Sequence, residues 1–197
     1  MLSQAIAPRR TLVDALLQGS SLLYHVLVVV AGSLLMAALA QVSIPLPFTP
    51  VPITGQTYGV LLIGTLLGSR RGALSMLLYI IEGGVGLPFF AQGASGWAKL
   101  LGPTGGYLVG FVLAAYVIGW MAERGMDRRV WTALVPMLVG EVIIFACGVS
   151  WLAHFVGWDK ALPLGLYPFI PGDVIKTLLA ALTLPAGWKL LGLWGRE

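Results

Sequence analysis

The sequence predicts an all-α polytopic membrane protein, six transmembrane helices with irregular outer loops between them and both termini cytoplasmic. Three observations predict it. First, 58% of the 197 residues are hydrophobic and 10% charged, with a mean hydropathy of +0.90, whereas a soluble domain carries about 25% charged residues. Second, the apolar residues fall into six stretches: 22–42, 56–67, 73–82, 106–122, 130–155 and 173–194. Third, Lys and Arg sort between alternate stretches as the excess in cytoplasmic loops requires. At this length one membrane domain over residues 1–197 is the natural organisation, with a six-helix bundle in 22–197 and an amphipathic segment within 1–20.

In chain order, Leu12, Val13, Leu16 and Leu17 give the segment before residue 18 one apolar face, the pattern of a short helix lying on a membrane surface. No small-residue cleavage site follows a short apolar core, so no removable signal peptide is expected. The stretch 22–42 is long enough to cross about 30 Å of hydrocarbon. The stretches 56–67 and 73–82 are short and separated only by 68–72, which predicts a tight antiparallel hairpin. Pro136 and Pro185 lie inside the last two stretches and predict kinks rather than ends. Gly64/Gly68 and Gly106/Gly110 are small pairs that let helices approach closely.

With an even number of crossings, Arg9, Arg10, Arg70, Arg71, Arg124, Arg128, Arg129, Lys189 and Arg196 share one side, and only Lys99 and Lys160 lie outside the helices on the other. The three outer connections are 43–55, 83–105 and 157–172. The first holds Pro45, Pro47, Pro50 and Pro52, a stiff extended run in which Phe48 and Ile53 favour burial. Irregular backbone at membrane depth is tolerated where it lines a cavity, so this run reads as a lid over an outward-facing pocket rather than an interfacial anchor.

The chemistry gathers beside it. In 168–180, PFIPGDVIKTLLA, Asp173 sits where a new helix's dipole is positive and Lys176 follows on the same face. Ionisable groups inside a membrane helix mark a functional site by default, though a helix cap and its neutralising partner explain this stretch alone equally well. Glu82 ends the third stretch, where the dipole opposes a carboxylate; an exposed end residue is the plain alternative. Glu141, mid-way along the fifth stretch, reads as structural. Gln56, Gln92 and Trp97 add polar and aromatic groups on the same outer side, the usual build of a small-molecule pocket.

Other chemistry finds no support. His25 and His154 lack ligand-spaced neighbours, so neither a metal site nor a cofactor is expected. Cys147 is alone and can form no internal disulfide. GPTGGY at 102–107 lacks the Lys-Ser/Thr of a phosphate-binding loop. The pI of about 9.5 comes from loop residues, with no basic patch interleaved with aromatics for nucleic acid. A membrane enzyme using Glu82, Asp173 and Glu141 lacks a nucleophile–base pair, so no enzyme is expected; a purely structural subunit is the other alternative.

Four segments, IPLPFTPVPITGQT (44–57), LLGSRRGALSMLLYIIEGGVGLPFF (66–90), LLGPTGGYLVGF (100–111) and PFIPGDVIKTLLA (168–180), together resemble the BioY family, the biotin-binding S components of energy-coupling-factor transporters. The resemblance covers the chain from about residue 24 onward. It implies a six-helix inner-membrane subunit without ATPase activity that binds biotin from outside in a pocket closed by 44–57. A transmembrane T component and ABC-type ATPases would then drive delivery inward, with the bilayer lipid as surroundings; a homo-oligomer stays open. By the same resemblance Asp173 and Lys176 fall on the family's binding pair, and Glu82, Gln92 and Trp97 on a ligand-facing segment. The Ala-x-x-x-Ala docking surface common on the first helix has no strict copy; Ser33 and Ala37 are the nearest small pair. Biotin's ureido N–H groups suit a carboxylate such as Asp173, and Lys176 suits the valerate or the ureido oxygen. Which group meets which end stays open.

Overall fold

The computed structural model describes residues 11–17, 19–190 and 192. The segment through residue 10 with Arg9 and Arg10, and the end of the chain with Trp194 and Arg196, lie outside the described residues. Helices form over all six apolar stretches: α2 (Leu22–Gln41), α3 (Gln56–Leu67), α4 (Ser69–Gly84), α6 (Gly105–Ala122), α7 (Val130–Val156) and α9 (Ile170–Leu190). Short helices α1 (Leu12–Leu17), α5 (Trp97–Leu100) and α8 (Trp158–Gly165) accompany them, with a two-residue hairpin of β1 (Ser43–Ile44) and β2 (Ile53–Thr54). By length and composition three helices, α2, α6 and α7, are long and apolar enough to cross a membrane, or four if α8 and α9, bent by 50°, make one span. Helices α3 and α4 have 12 and 16 residues, or about 18 and 24 Å at about 1.5 Å per residue, because each yields length to the turns at its ends.

Local chemistry explains where the elements begin and stop. Ser21 caps α2, its hydroxyl accepting from the Tyr24 N–H at 3.1 Å. The α3–α4 connection is tighter than the sequence predicts: Gly68 alone separates the helices, at φ +82°, a left-handed conformation that favours glycine. The first N–H of α4 is met from the end of α6, where Glu123 Oε1 accepts from the Ser69 N–H at 2.7 Å and the Ser69 hydroxyl at 2.9 Å. Helices α7 and α9 run unbroken through Pro136 and Pro185.

Close packing depends on small residues. A Cβ on Gly64 would stand 3.0 Å from the Ala115 backbone, and one on Gly106 would stand 2.5 Å from the Cys147 carbonyl oxygen. These contacts seat α6 against α3 and α7. The core runs through Met36, Leu61, Met76, Tyr79, Ile118 and Met137, each fully buried.

Several expectations change. Helix α1 is tied to the bundle: Leu12 is buried, Leu16 and Leu17 are exposed, and Asp14 makes a bidentate ion pair with Arg71, both N···O distances 2.6 Å. The outer connection 157–172 is largely helical, since α8 occupies it. Phe48 is 57% exposed, and within 44–57 Val51 is the apolar residue that is buried. Ser33 and Ala37 are buried inside the bundle, because α2 uses its small face against α4, so they offer no outward docking surface.

Candidate functional site

Thr54, at the end of the β1–β2 hairpin, accepts from the Gln56 N–H at 3.2 Å just before α3. That start carries Gln56 and Thr57 inward together. Asp173, in the first turn of α9, bonds its N–H to Phe169 O at 2.9 Å, and Lys176 follows one turn on. The three polar side chains close a triangle. Lys176 Nζ donates to Asp173 Oδ1 at 2.8 Å and to Thr57 Oγ1 at 2.9 Å, and the Thr57 hydroxyl donates its proton to Asp173 Oδ1 at 2.9 Å. Asp173 is buried, yet its second oxygen has no hydrogen-bond partner. The pairing offsets part of the cost of burying charge, and the group keeps one unused acceptor and a spare ammonium N–H.

Thr57 lines a chamber of about 60 Å³. Its roof is Val51, Pro52 and Thr54 from the lid; its walls include Gln56, Tyr79, Phe90, Lys99, Thr104 and Tyr107. Gln56 is buried and donates to the Tyr79 hydroxyl at 2.9 Å. The Tyr107 hydroxyl donates to Gly165 O at 2.7 Å, and the Thr49 hydroxyl to Leu164 O at 2.7 Å. The end of α8 is thereby tied both to a chamber wall and to the lid.

Asp173 touches the chamber only through Thr57 and itself borders a second space. A groove of about 600 Å³ runs between α7, α8 and α9, apolar apart from Glu141, Ser150, Asp173 and Thr177. Glu141 is 8% exposed, and neither carboxylate oxygen has a partner. The rim residues Leu138, Val142, Val174 and Leu178 are exposed, so the groove opens sideways where lipid would lie.

Of the residues singled out in the sequence, the structure joins Asp173 and Lys176, sets Gln56 in the chamber wall beside Thr57, and holds three others apart. Glu82 is half-buried at the end of α4, with Oε2 unpartnered. Gln92 is exposed and has φ +64°, a turn residue beside Gly93, whose N–H donates to Gln41 Oε1 at 3.1 Å. Trp97 is 56% exposed, its ring laid against Gly84. Sequence reasoning missed Thr57 and Lys99 as site residues. Thr57 sits 116 residues from Asp173, a pairing without a local signal. Lys99 could have been found as one of only two basic residues in the connections that the charge pattern predicts to lie outside.

The chain resembles known proteins along most of its length. The model of the BioY family matches residues 12–193. "Biotin transporter BioY" of Rhizobium etli is 41% identical over 148 residues, covering 71% of this chain and 79% of that protein. "Probable biotin transporter BioY" of Pyrococcus horikoshii is 41% identical over 143 residues, 73% of this chain and 83% of that protein. A solved structure described as the S-component for biotin from an ECF-type ABC transporter superposes with a TM-score of 0.77 at 26% identity, covering 87% of this chain and 95% of that one.

Proposed function

The chain belongs to the BioY family, and from that premise we propose that it is the substrate-capture subunit of a biotin uptake system. It binds biotin in the chamber beneath the 44–57 lid and delivers it inward with energising partners. The observation that carries this reading is the Thr57–Asp173–Lys176 triangle, buried beside that chamber with an open acceptor and an open donor. A ureido ring, with N–H donors flanking a carbonyl, complements that pair of unused groups. Gln56 adds a neutral amide, and Phe90 and Tyr107 add apolar walls.

At about 60 Å³ the chamber falls below the ~300–1,000 Å³ usual for small-molecule sites. Biotin therefore enters only as the lid swings outward, and Thr49 releasing Leu164 O is the natural first step. Glu82, Gln92 and Trp97 come toward the ligand only if 83–105 moves with the lid.

A multi-pass arrangement in the plasma membrane, six crossings with both termini cytoplasmic, is supported by the basic residues. Arg71, Arg124 and Arg128 gather at the end of the bundle opposite the lid, near Asp14, Glu123 and Asp127. A T component and ABC-type ATPases are the energising partners in this reading.

The test is equilibrium binding of labelled biotin to the detergent-purified chain, with desthiobiotin and thiamine as competitors. Saturable binding displaced by desthiobiotin and ignored by thiamine is the expected result. A well-folded sample that binds no biotin would remove the assigned ligand.

A further inference from the structure

The charges around the chamber do not balance. Asp173 and Lys176 neutralise each other through a 2.8 Å contact. Lys99, unlike that pair, lines the chamber itself, and its ammonium makes no hydrogen bond or ion pair with another described residue. The wall thus carries one net positive charge, the complement of a monoanion.

The position of Lys99 is set by its backbone. The Gly96 N–H donates to Gly83 O at 2.7 Å, and the Trp97 ring lies 3.2 Å from where a Cβ on Gly84 would stand. Helix α5 is thereby clamped to the end of α4, which leaves Lys99 half-buried against the chamber. No acidic group on the packed elements claims it: Asp173 is taken by Lys176, Glu82 lies within no ion-pair distance, and Asp159 is exposed on α8. A partly desolvated ammonium facing a cavity meets an anionic ligand with a charge-assisted hydrogen bond, stronger than a neutral one.

Resting on the biotin reading above, we propose that Lys99 is the carboxylate-binding residue of the chamber. Lys99 meets the valerate end of biotin, and the Thr57–Asp173–Lys176 triangle takes the ureido end. This divides the labour between two lysines: Lys176 is committed to an internal carboxylate, and Lys99 is held in reserve for the ligand's. It also makes recognition depend on ligand charge at one end alone.

The experiment compares biotin with its carboxamide, identical except for the charged end, on the purified full chain. Wild type is expected to bind biotin at least tenfold more tightly than the amide. In Lys99→Gln the Kd for biotin rises at least tenfold and the Kd for the amide stays within twofold, so the discrimination disappears; Lys99→Arg restores it. Lys176→Met, by contrast, weakens both ligands alike. Equal weakening of biotin and amide by Lys99→Gln would mean that Lys99 only shapes the chamber, and no change with either would mean that it faces no ligand; both overturn the proposal. Wild type that binds neither compound overturns the biotin reading itself, and this proposal with it. Wild type that binds both equally leaves that reading standing and sinks this one alone.

Discussion

The two ends of the bundle surround their charges differently. At the basic end every described carboxylate has a partner, Asp14 with Arg71 and Thr11, Glu123 with Ser69, and Asp127 with Trp188 Nε1 at 2.7 Å, although Asp127 Oδ1 has none. Burial pushes the Asp127 carboxyl up against the pull of that indole N–H. At the lid end charge is left open, with one oxygen of Asp173 unpartnered and Lys99 without an ion pair. An unpartnered oxygen is costly to bury; Asp127, 1% exposed, keeps its own inside the packing, whereas Asp173 borders open space.

The largest expected effect breaks the open end. Lys176→Ala removes two donors from the triangle and strands Asp173. Hydrogen bonds to charged groups contribute about 1.5–3 kcal/mol, so biotin affinity should fall by about one to two orders of magnitude. Asp173→Asn should act similarly, and uptake at nanomolar biotin should cease with either. Equilibrium binding checks this; unchanged affinity in both well-folded variants would take the pair out of the site.

Thr57→Val sharpens the same end. It deletes a neutral hydroxyl that lines the chamber but leaves the 2.8 Å ion pair in place. A net hydrogen bond is worth about 1 kcal/mol, so the Kd should rise about fivefold. A loss as large as that of Lys176→Ala would show that Thr57 holds the ion pair in position rather than touching the ligand alone.

The helices were legible because apolar runs, prolines and glycines are local signals: the bounds of α2, α3, α6 and α7 lie within one residue of the stretches drawn from sequence. Asp173 and Lys176 were legible for a similar reason, as charges inside an apolar run. What escaped is contact between distant segments. Thr57 looks like any helix-start residue until α9 packs on α3. Ser33 and Ala37 look like an outward small face until the bundle buries both. Glu82 and Gln92 share a loop region with the site in sequence but turn elsewhere in space. The α8 helix hid because Pro163 and the flanking glycines read as breakers, although a helix begins at Trp158 directly after Gly157 at φ +84°.

At the basic end, Asp14→Asn should reduce stability by about 1 kcal/mol, as expected for a part-exposed bidentate pair, and leave biotin affinity untouched. Burial raises the Asp14 carboxyl, but the bonds from Arg71 and Thr11 outweigh it and hold it below the usual carboxylate value. A depressed acid contributes stability above its unfolded value and loses it as pH falls through its folded one. Thermal melts of wild type and variant should therefore differ at pH 7 and converge as the pH drops below the ordinary carboxylate range. A difference that persists in acid would assign the effect to packing instead.

The smallest expected effect concerns the groove between α7, α8 and α9, which at about 600 Å³ is the larger of the two spaces. Size favours it as a ligand site, but its rim of exposed Leu138, Val142, Val174 and Leu178 faces outward, and its polar groups are few. In a bilayer such a surface is bathed by acyl chains, which need no specific recognition. Leu138→Trp places bulk at the rim, and Glu141→Gln keeps the shape of a side chain whose oxygens bond nothing. Neither should change the biotin Kd by more than about twofold, since about 0.4 kcal/mol separates that from no effect. A tenfold loss from Leu138→Trp would reverse the assignment. It would mean that the ligand reaches the unpartnered oxygen of Asp173 from the α7 side, making the chamber under the lid a packing gap and the groove the site.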